Sequence, residues 1–386
     1  MNESGARPVL AYVVLSLNPG GTERLVVDMA RTFASTYEVN VFCLDEPGDW
    51  ATVLRESGIP VHVLWRRPGL DLSLALRLAA HLRACGAHIV HAHQCTPWFY
   101  SALARLLYPL PRLLLEEHGR FHPEVDKPLR RIVNRWLIAP LTHRFVAVSK
   151  DIRSRLERYE GISGDRISVV YNGVAPAPAL DARERERLRA RLGFSAGDFV
   201  VGTVGRLDPI KNLPMLVAAL ERAMSGVPHL RGLIVGDGPL REETADLIGK
   251  AGLSATVLMT GHRDDARSLV QCMDLFVLSS LSEGTSMALL EAMAAQVAVA
   301  VTDVGGNPEI VDAGAGGWVV PSGDAAALAN VIEGAANDTP VRERVAQAGR
   351  DRFVERFGFD DMVDTYRQIY RELLDRGQAL PADAGA

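Results

Sequence analysis

Short apolar runs, each closed by a turn and followed by residues at helical spacing, recur along this chain and then begin again. The first run, residues 9–17, ends in Asn18-Pro19-Gly20-Gly21, and Leu25, Val26, Met29 and Phe33 follow at helical spacing. Further strand-like runs lie at 39–44, 61–64, 88–93, 112–116 and 144–148, with a helix predicted over 72–82. Such alternation points to a parallel, doubly wound sheet. After Asn172 the pattern restarts. Residues 175–179 carry two prolines, a highly charged helical stretch covers 181–192, and strand candidates follow at 199–204, 232–235, 256–260, 275–278 and 298–301.

The fold class that follows is α/β, with two Rossmann-like, doubly wound parallel-sheet domains. Their boundaries are expected at residues 1–173 and 174–358, with a C-terminal helix over about 359–376 packing back on the first domain. Residues 1–7 and 377–386 read as frayed ends. The two halves share architecture but no sequence period of the solenoid kind. Ligands of open parallel sheets bind outside the carboxyl ends of the strands. The expected site is therefore a cleft between the two sheets, lined by the turns that follow the strands.

Length and composition agree with this. A chain of 386 residues suits two domains, and 48% hydrophobic with 23% charged residues is ordinary globular composition. The net charge of −5 gives no reason to expect a nucleic-acid partner. Residues 1–175 carry 21 Lys and Arg against 17 Asp and Glu, and the remainder carries 21 against 30, so the halves differ in sign. Cys43, Cys85, Cys95 and Cys272 form no C-x-x-C pair and read as free thiols in a reducing compartment. The polar start and the nine-residue run at 9–17 resemble neither a signal peptide nor a span, which needs about 20 residues. The expected setting is the cytoplasm, or at most a membrane surface.

Four turns carry candidate chemistry. Gly205-Arg206-Leu207-Asp208-Pro209-Ile210-Lys211-Asn212 follows the run 199–204 and delivers two cations five residues apart. The planar fork of Arg206 and the compact charge of Lys211 suit a diphosphate neutralised without a metal; a pair of solvated surface cations is the plain alternative. In the second turn, Ser282-Glu283-Gly284-Thr285-Ser286, either Thr285 or Ser286 can cap a helix running through Ala295. The free N–H groups of that helix make an anion site. Glu291 lies roughly 9 Å further along the helix. One carboxylate, Glu283 or Glu291, thus stands on each side of a bound phosphate, suited to sugar hydroxyls and to ribose; a capping loop with an ordinary helix Glu is the alternative. Asp303-Val304-Gly305-Gly306 and Val235-Gly236-Asp237-Gly238-Pro239 are glycine turns that close backbone approach or a plain turn explains equally.

In the front half, Gly20-Gly21-Thr22 opens a helix and permits phosphate approach, while His118 with Gly119 sits at the end of the strand 112–116. Asp264-Asp265 has no third partner for a metal, and none is expected.

Together these motifs resemble glycosyltransferase family 4, the large retaining group with the two-Rossmann GT-B fold. The resemblance covers nearly the whole chain. It rests on Gly20-Gly21 with Glu23, Ala147-Val148-Ser149, Tyr171-Asn172-Gly173-Val174, the run 205–212, Val235–Pro239, Glu283-Gly284 with Glu291 eight residues later, and Asp303-Val304-Gly305-Gly306. Glu116-Glu117-His118-Gly119 is similar to the bacterial exopolysaccharide-associated members. Gln296 and Ala298 stand where the family usually has Gly and Pro.

The resemblance implies a nucleotide-diphosphate sugar as donor, no cofactor or metal, and a glycan or polyprenyl-linked acceptor. Arg206 and Lys211 then bind the diphosphate with Gly205 and the backbone of Gly284, Thr285 and Ser286. Glu283 holds donor-sugar hydroxyls, Glu291 the ribose, His118 approaches the sugar, and Gly20 and Gly21 lie near the phosphate and acceptor. Retention arises either by double displacement on a carboxylate or by attack on the leaving face, which the resemblance favours. A nucleotide-sugar epimerase of the same fold and a non-catalytic nucleotide-sugar binder are the alternatives.

One further segment bears on location. If helical, residues 128–141 put Leu129, Ile132, Val133, Trp136 and Leu137 on one face and Arg130, Arg131, Asn134 and Arg135 on the other. A basic amphipathic helix of this kind lies on an anionic membrane. The bland alternative packs the apolar stripe on the protein's own sheet.

Overall fold

The computed structural model describes residues 7–109, 111–119, 125–312 and 314–378. The ends expected to fray fall almost wholly outside the described residues. The chain divides into two units, one of residues 1–171 with 362–386 and the other of residues 172–361.

The first unit holds β1 (Val9–Val14), β2 (Glu38–Cys43), β3 (Val61–Val63), β4 (Ile89–His93), β5 (Arg112–Glu117), β6 (Arg144–Ala147) and β7 (Ile167–Val169). They form one sheet in the order β3-β2-β1-β4-β5-β6-β7, every pair parallel. The central strand β1, Val-Leu-Ala-Tyr-Val-Val, is buried at every position, as a strand covered on both faces requires. Helices such as Gly21–Phe33, Leu72–Ala84 and Cys95–Leu107 make the crossovers.

The second unit repeats the plan. Its strands are β8 (Phe199–Val204), β9 (Leu230–Val235), β10 (Val257–Gly261), β11 (Leu275–Leu278), β12 (Ala298–Thr302) and β13 (Trp318–Val320). Their order is β10-β9-β8-β11-β12-β13, again parallel throughout. Strand order reverses between β1 and β4 in one sheet and between β8 and β11 in the other. β7 and β13 are not among the strands expected from the sequence pattern, whereas β3, an edge strand of the same three-residue length, is.

The C-terminal helix Phe359–Gln378 buries Met362, Val363, Tyr366, Tyr370 and Leu373. The hydroxyl of Tyr370 lies 2.8 Å from His91 Nδ1 and 3.2 Å from the hydroxyl of Tyr12, inside the first unit.

The charged stretch at 181–192 forms the helix Ala182–Arg191, opened by a capping box between Asp181 and Glu184. It has little apolar surface to bury and is held by ions instead. Arg185 and Arg189 both reach Asp274, at 2.9 and 3.2 Å, and Asp274 also accepts from the amide of Val200 at 2.8 Å.

Residues 128–141 split the expected stripe. They form an α-helix Pro128–Val133, a π-helix Asn134–Ile138 and a 3-10 helix Ala139–Leu141. Val133 and Leu141 pack against the core of the first unit and Ile138 is fully buried, while Leu129 is 76% exposed, Ile132 56%, Trp136 72% and Leu137 58%. Polar groups share the inner side. Glu160, fully buried, pairs with Arg130 at 2.9 Å and accepts from Asn134. A buried carboxylate demands such partners, and the extra residue of the π-turn re-aims the side chains around them.

Asp274→Ala is expected to destabilise the second unit by about 3 kcal/mol, because it strands the buried Arg189. Asp181→Ala removes only a cap and is expected to cost about 1 kcal/mol. Urea unfolding midpoints of the two variants check the order.

Candidate functional site

In the second unit the chain leaves β8 at Gly205. Arg206 is exposed, and no described group pairs with it. Asp208 caps the 3-10 turn Pro209–Lys211 by accepting from the amide of Ile210 at 3.2 Å. Asn212 then takes a left-handed conformation, φ 48°, and starts the helix Leu213–Ala223. This path folds Lys211 back beneath Gly205, where an added Cβ would lie 3.4 Å from the lysine Cε.

The segment after β11 is bound to that path. Ser279 Oγ donates to the carbonyls of Lys211 and Asn212 at 2.9 and 3.2 Å, and the amide of Leu281 donates to Ile210 O at 2.7 Å. Lys211 Nζ reaches Glu283 Oε1 at 2.6 Å, and Ser280 Oγ donates to the same oxygen at 2.6 Å. Both charged side chains keep some exposure, 22% for Lys211 and 10% for Glu283. Two loops that are far apart in sequence therefore present one fixed cation–carboxylate pair.

The helix that follows is Met287–Ala294, ending one residue before the expected Ala295. Its cap is Ser286, not Thr285: Ser286 Oγ accepts from the amide of Leu289 at 3.4 Å. Thr285 is instead held through its carbonyl, which accepts from Asn172 Nδ2 at 3.2 Å. Glu291 lies in the third turn of no long helix but near the end of this short one, paired with Arg267 Nε at 2.7 Å.

The two glycine turns prove to be struts of these loops. At Gly236, φ 135°, an added Cβ would lie 1.9 Å from the carbonyl oxygen of Gly205. At Gly305, φ 55°, it would lie 1.9 Å from the carbonyl oxygen of Glu283, and the amide of Gly306 donates to that same oxygen at 3.2 Å. Only glycine permits both the left-handed backbone and the approach. Gln296, where the family pattern has glycine, keeps the turn at φ 58° and donates to Gln347 at 2.8 Å. Asp264 and Asp265 lie beside His262 and Arg263, at 3.5 and 2.7 Å.

In the first unit, Gly20 precedes the helix Gly21–Phe33 in extended conformation. A Cβ at Gly20 would meet Glu23 Oε2 at 2.3 Å, so a carboxylate stands over this turn. His118 is buried rather than open, its side chain only 4% exposed. Its Nε2 lies 2.8 Å from His93 Nδ1. Around it, His91 and His93 stack at 4.1 Å between centroids, with Glu116 and Tyr366 alongside. Burial holds the imidazole of His118 below its ordinary pKa, partly offset by Glu116, and burial with the neighbouring rings pushes His93 well below it. Among the described residues, His91, His93 and Glu116 offer ligand atoms all within 4.8 Å of one another.

The structure thus brings Gly205, Lys211, Glu283, Gly284, Thr285 and Ser286 together at the strand-order reversal of the second unit. Arg206 lies on the same loop and Glu291 on the same helix. Gly20 and Gly21 follow β1 and His118 follows β5 in the first unit. The sequence pattern missed Ser280 and Arg267, which have no distinctive local signal; Asn172 stood in the motif Tyr171-Asn172-Gly173-Val174, but its clasp on Thr285 was not foreseen. His91 and His93 had one, an i, i+2 pair on one face of a strand.

Two Rossmann-like units in one chain, with paired charges at a strand-order reversal, are the architecture of the GT-B fold. Residues 184–352 match the family described as glycosyl transferases group 1, and residues 19–177 match Glycosyltransferase Family 4. A Bacillus subtilis protein described as a glycosyltransferase, EpsD, is 30% identical over 293 residues, which is 72% of this chain and 76% of that protein. The Escherichia coli UDP-Gal:alpha-D-GlcNAc-diphosphoundecaprenol alpha-1,3-galactosyltransferase is 24% identical over 97% of this chain and 99% of its own. Among solved structures, Anabaena HepE in complex with UDP and glucose has a TM-score of 0.85 at 23% identity, covering 95% of this chain and 100% of that one. The chain belongs to glycosyltransferase family 4.

Gly305→Ala is expected to cost about 2 kcal/mol of stability and to depress turnover as well, because it displaces the Glu283 backbone. Gly323→Ala, at φ 84° with nothing within 4 Å of its Cβ, is the control: strain without loss of activity. Equal turnover in the two variants, measured below their melting range, would remove the strut assignment.

Proposed function

We propose that this glycosyltransferase moves a hexosyl unit from a nucleotide-diphosphate sugar to a glycan or polyprenyl-linked acceptor, with retained anomeric configuration, in polysaccharide or glycolipid synthesis. The observation that carries the proposal is the convergence of Arg206, Lys211, Glu283 and the Ser286-capped helix at one strand-order reversal. In open parallel sheets that is where nucleotides bind. The names of the relatives support the substrate classes: HepE is described with UDP and with glucose, and the E. coli enzyme takes a diphosphoundecaprenol-linked sugar.

The chemistry is a substitution on the donor face. The bond between the anomeric carbon and the β-phosphate oxygen breaks, the acceptor hydroxyl attacks from the same side, and its proton passes to a departing phosphate oxygen. Negative charge grows on the diphosphate. Arg206, Lys211 and the amides of Gly284, Thr285 and Ser286 stabilise it, which is electrostatic catalysis by groups already in place. No metal or other cofactor is needed at this site. Lys211 is held by Glu283 before the donor arrives, so its charge is pre-oriented. Glu283 contacts the donor sugar and Glu291, steadied by Arg267, the ribose. Gly20 and Gly21 take the acceptor side.

Work on a lipid-linked acceptor puts the protein at a membrane surface, on the cytoplasmic face. No helix among the described residues is long and apolar enough to cross a membrane. The outward stripe of Leu129, Ile132, Trp136 and Leu137, with Lys127 and Arg135 also exposed beside it, suits insertion at the headgroup level of an anionic bilayer.

Arg206→Ala and Lys211→Ala are each expected to lower turnover with a nucleotide sugar by about 100-fold or more at little change in melting temperature. Near-normal rates in both would sink the diphosphate assignment. In flotation, wild-type protein is expected to rise with phosphatidylglycerol-containing vesicles, and the variant with Leu129, Ile132 and Trp136 all changed to Ser to stay below. Wild-type protein that fails to float even with anionic lipid would remove the membrane contact.

A further inference from the structure

The loop that leads to Glu283 opens with two buried serines, and they serve different partners. Ser279 Oγ donates to the carbonyls of Lys211 and Asn212. Ser280, the next residue, is fully buried and gives its hydroxyl to Glu283 Oε1 at 2.6 Å. That is the length of a hydroxyl donating to a charged carboxylate. Glu283 Oε1 takes a second donor, Lys211 Nζ, also at 2.6 Å. Among the described residues nothing bonds its other oxygen, Oε2.

The two donors are not equivalent. Lys211 is 22% exposed and reaches Glu283 from a long, flexible stem. Ser280 is short and wholly enclosed. Its backbone is tethered from a second strand, because Thr302 Oγ1, at the end of β12 and also fully buried, donates to the carbonyl of Ser280 at 2.7 Å. The backbone of Glu283 is fixed separately, by the amide of Gly306 on its carbonyl. A chain of bonds therefore runs from β12 through Ser280 to one oxygen of Glu283, and it does not pass through Lys211.

This matters when the donor binds. A diphosphate competes for Lys211, and as the lysine turns to it Glu283 loses one of its two bonds. The carboxylate is then held by Ser280. Granted that Lys211 meets the diphosphate and Glu283 the sugar, as proposed for the reaction, we infer that Ser280 is the positioning residue of Glu283. It keeps Oε1 while the diphosphate draws Lys211 away, and so leaves Oε2 aimed at a hydroxyl of the donor sugar. The arrangement couples the two halves of the donor. Before binding, the lysine occupies the carboxylate and a sugar hydroxyl has to compete with a cation. Once the diphosphate has taken the lysine, the carboxylate is free to accept from the sugar and is still in register. Ser280 itself touches no substrate.

Ser280→Ala removes one oxygen and keeps the rest of the side chain, so the fold is expected to persist. Turnover is measured on the full chain with UDP-glucose, UDP-N-acetylglucosamine, UDP-galactose and GDP-mannose as probes, with transfer to water counted. The diphosphate supplies affinity and the placement of the sugar supplies rate. With the probe that the wild type uses, Ser280→Ala is therefore expected to lower kcat by about 10-fold or more, the worth of a hydrogen bond to a charged group, while KM and inhibition by the free nucleoside diphosphate change by less than about twofold. In a Glu283→Ala background, Ser280→Ala is expected to change nothing further, because a residue that acts through another is not additive with it. Unchanged kcat in Ser280→Ala beside a crippled Glu283→Ala would overturn the assignment. So would a loss that adds in full to that of Glu283→Ala, or a matching loss of inhibition by the nucleoside diphosphate, since either marks a general structural role. Normal turnover in Glu283→Ala, or a wild type that uses none of the probes, would instead remove the donor reading on which the coupling rests.

Discussion

Parallel strand pairing is the constraint on which the rest of this molecule depends. A parallel neighbour cannot be reached by a tight turn, so each connection must cross back over the sheet. All carboxyl ends of the strands then lie along one edge, and all the loops that follow them gather there. Where strand order reverses, successive crossovers leave in opposite directions and open a crevice. The second unit reverses between β8 and β11, which are hydrogen-bonded neighbours. The loops after these two strands carry Arg206, Lys211, Glu283 and Ser286.

What fixes those side chains is mostly backbone. Ser279 and Leu281 tie the loop after β11 to the carbonyls of Ile210, Lys211 and Asn212. Gly236 and Gly305 let two further loops press against Gly205 and Glu283. The Lys211–Glu283 pair is therefore set by four loops at once. Partly exposed ion pairs contribute little to stability by themselves. Here the pair serves orientation, holding a cation where an incoming diphosphate competes for it.

In the first unit, strand register does similar work. His91 sits beside Tyr12 and His93 beside Glu116 across neighbouring parallel strands. Alternation puts His91 and His93 on one face of β4. Aromatic residues from the C-terminal helix close over them, with Tyr366 and Tyr370 both fully buried. A polar cluster this deep is tolerated only if its atoms are satisfied, and His91, 2.9 Å from the Glu116 carboxylate, supplies its nearest partner in that core.

Periodicity along the chain determined the two parallel sheets, all strands except the short edges β7 and β13, and the turns where charged residues would gather. These are local properties: a run of apolar residues, a turn and a helical repeat are written in consecutive positions. Tertiary structure alone decided which groups meet. Ser286 rather than Thr285 caps its helix, while Arg267 comes to Glu291 and Asn172 holds the carbonyl of Thr285 from distant parts of the chain. It also decided which way a helix faces. The stripe through Leu129, Ile132 and Trp136 has the period of a core-facing helix, yet the buried carboxylate of Glu160 takes Asn134 and Arg130 inward, and of the stripe only Val133 packs on the core while Leu129, Ile132 and Trp136 stay in solvent. Spacing specifies that a face exists; the partners offered by the rest of the fold specify which face is buried.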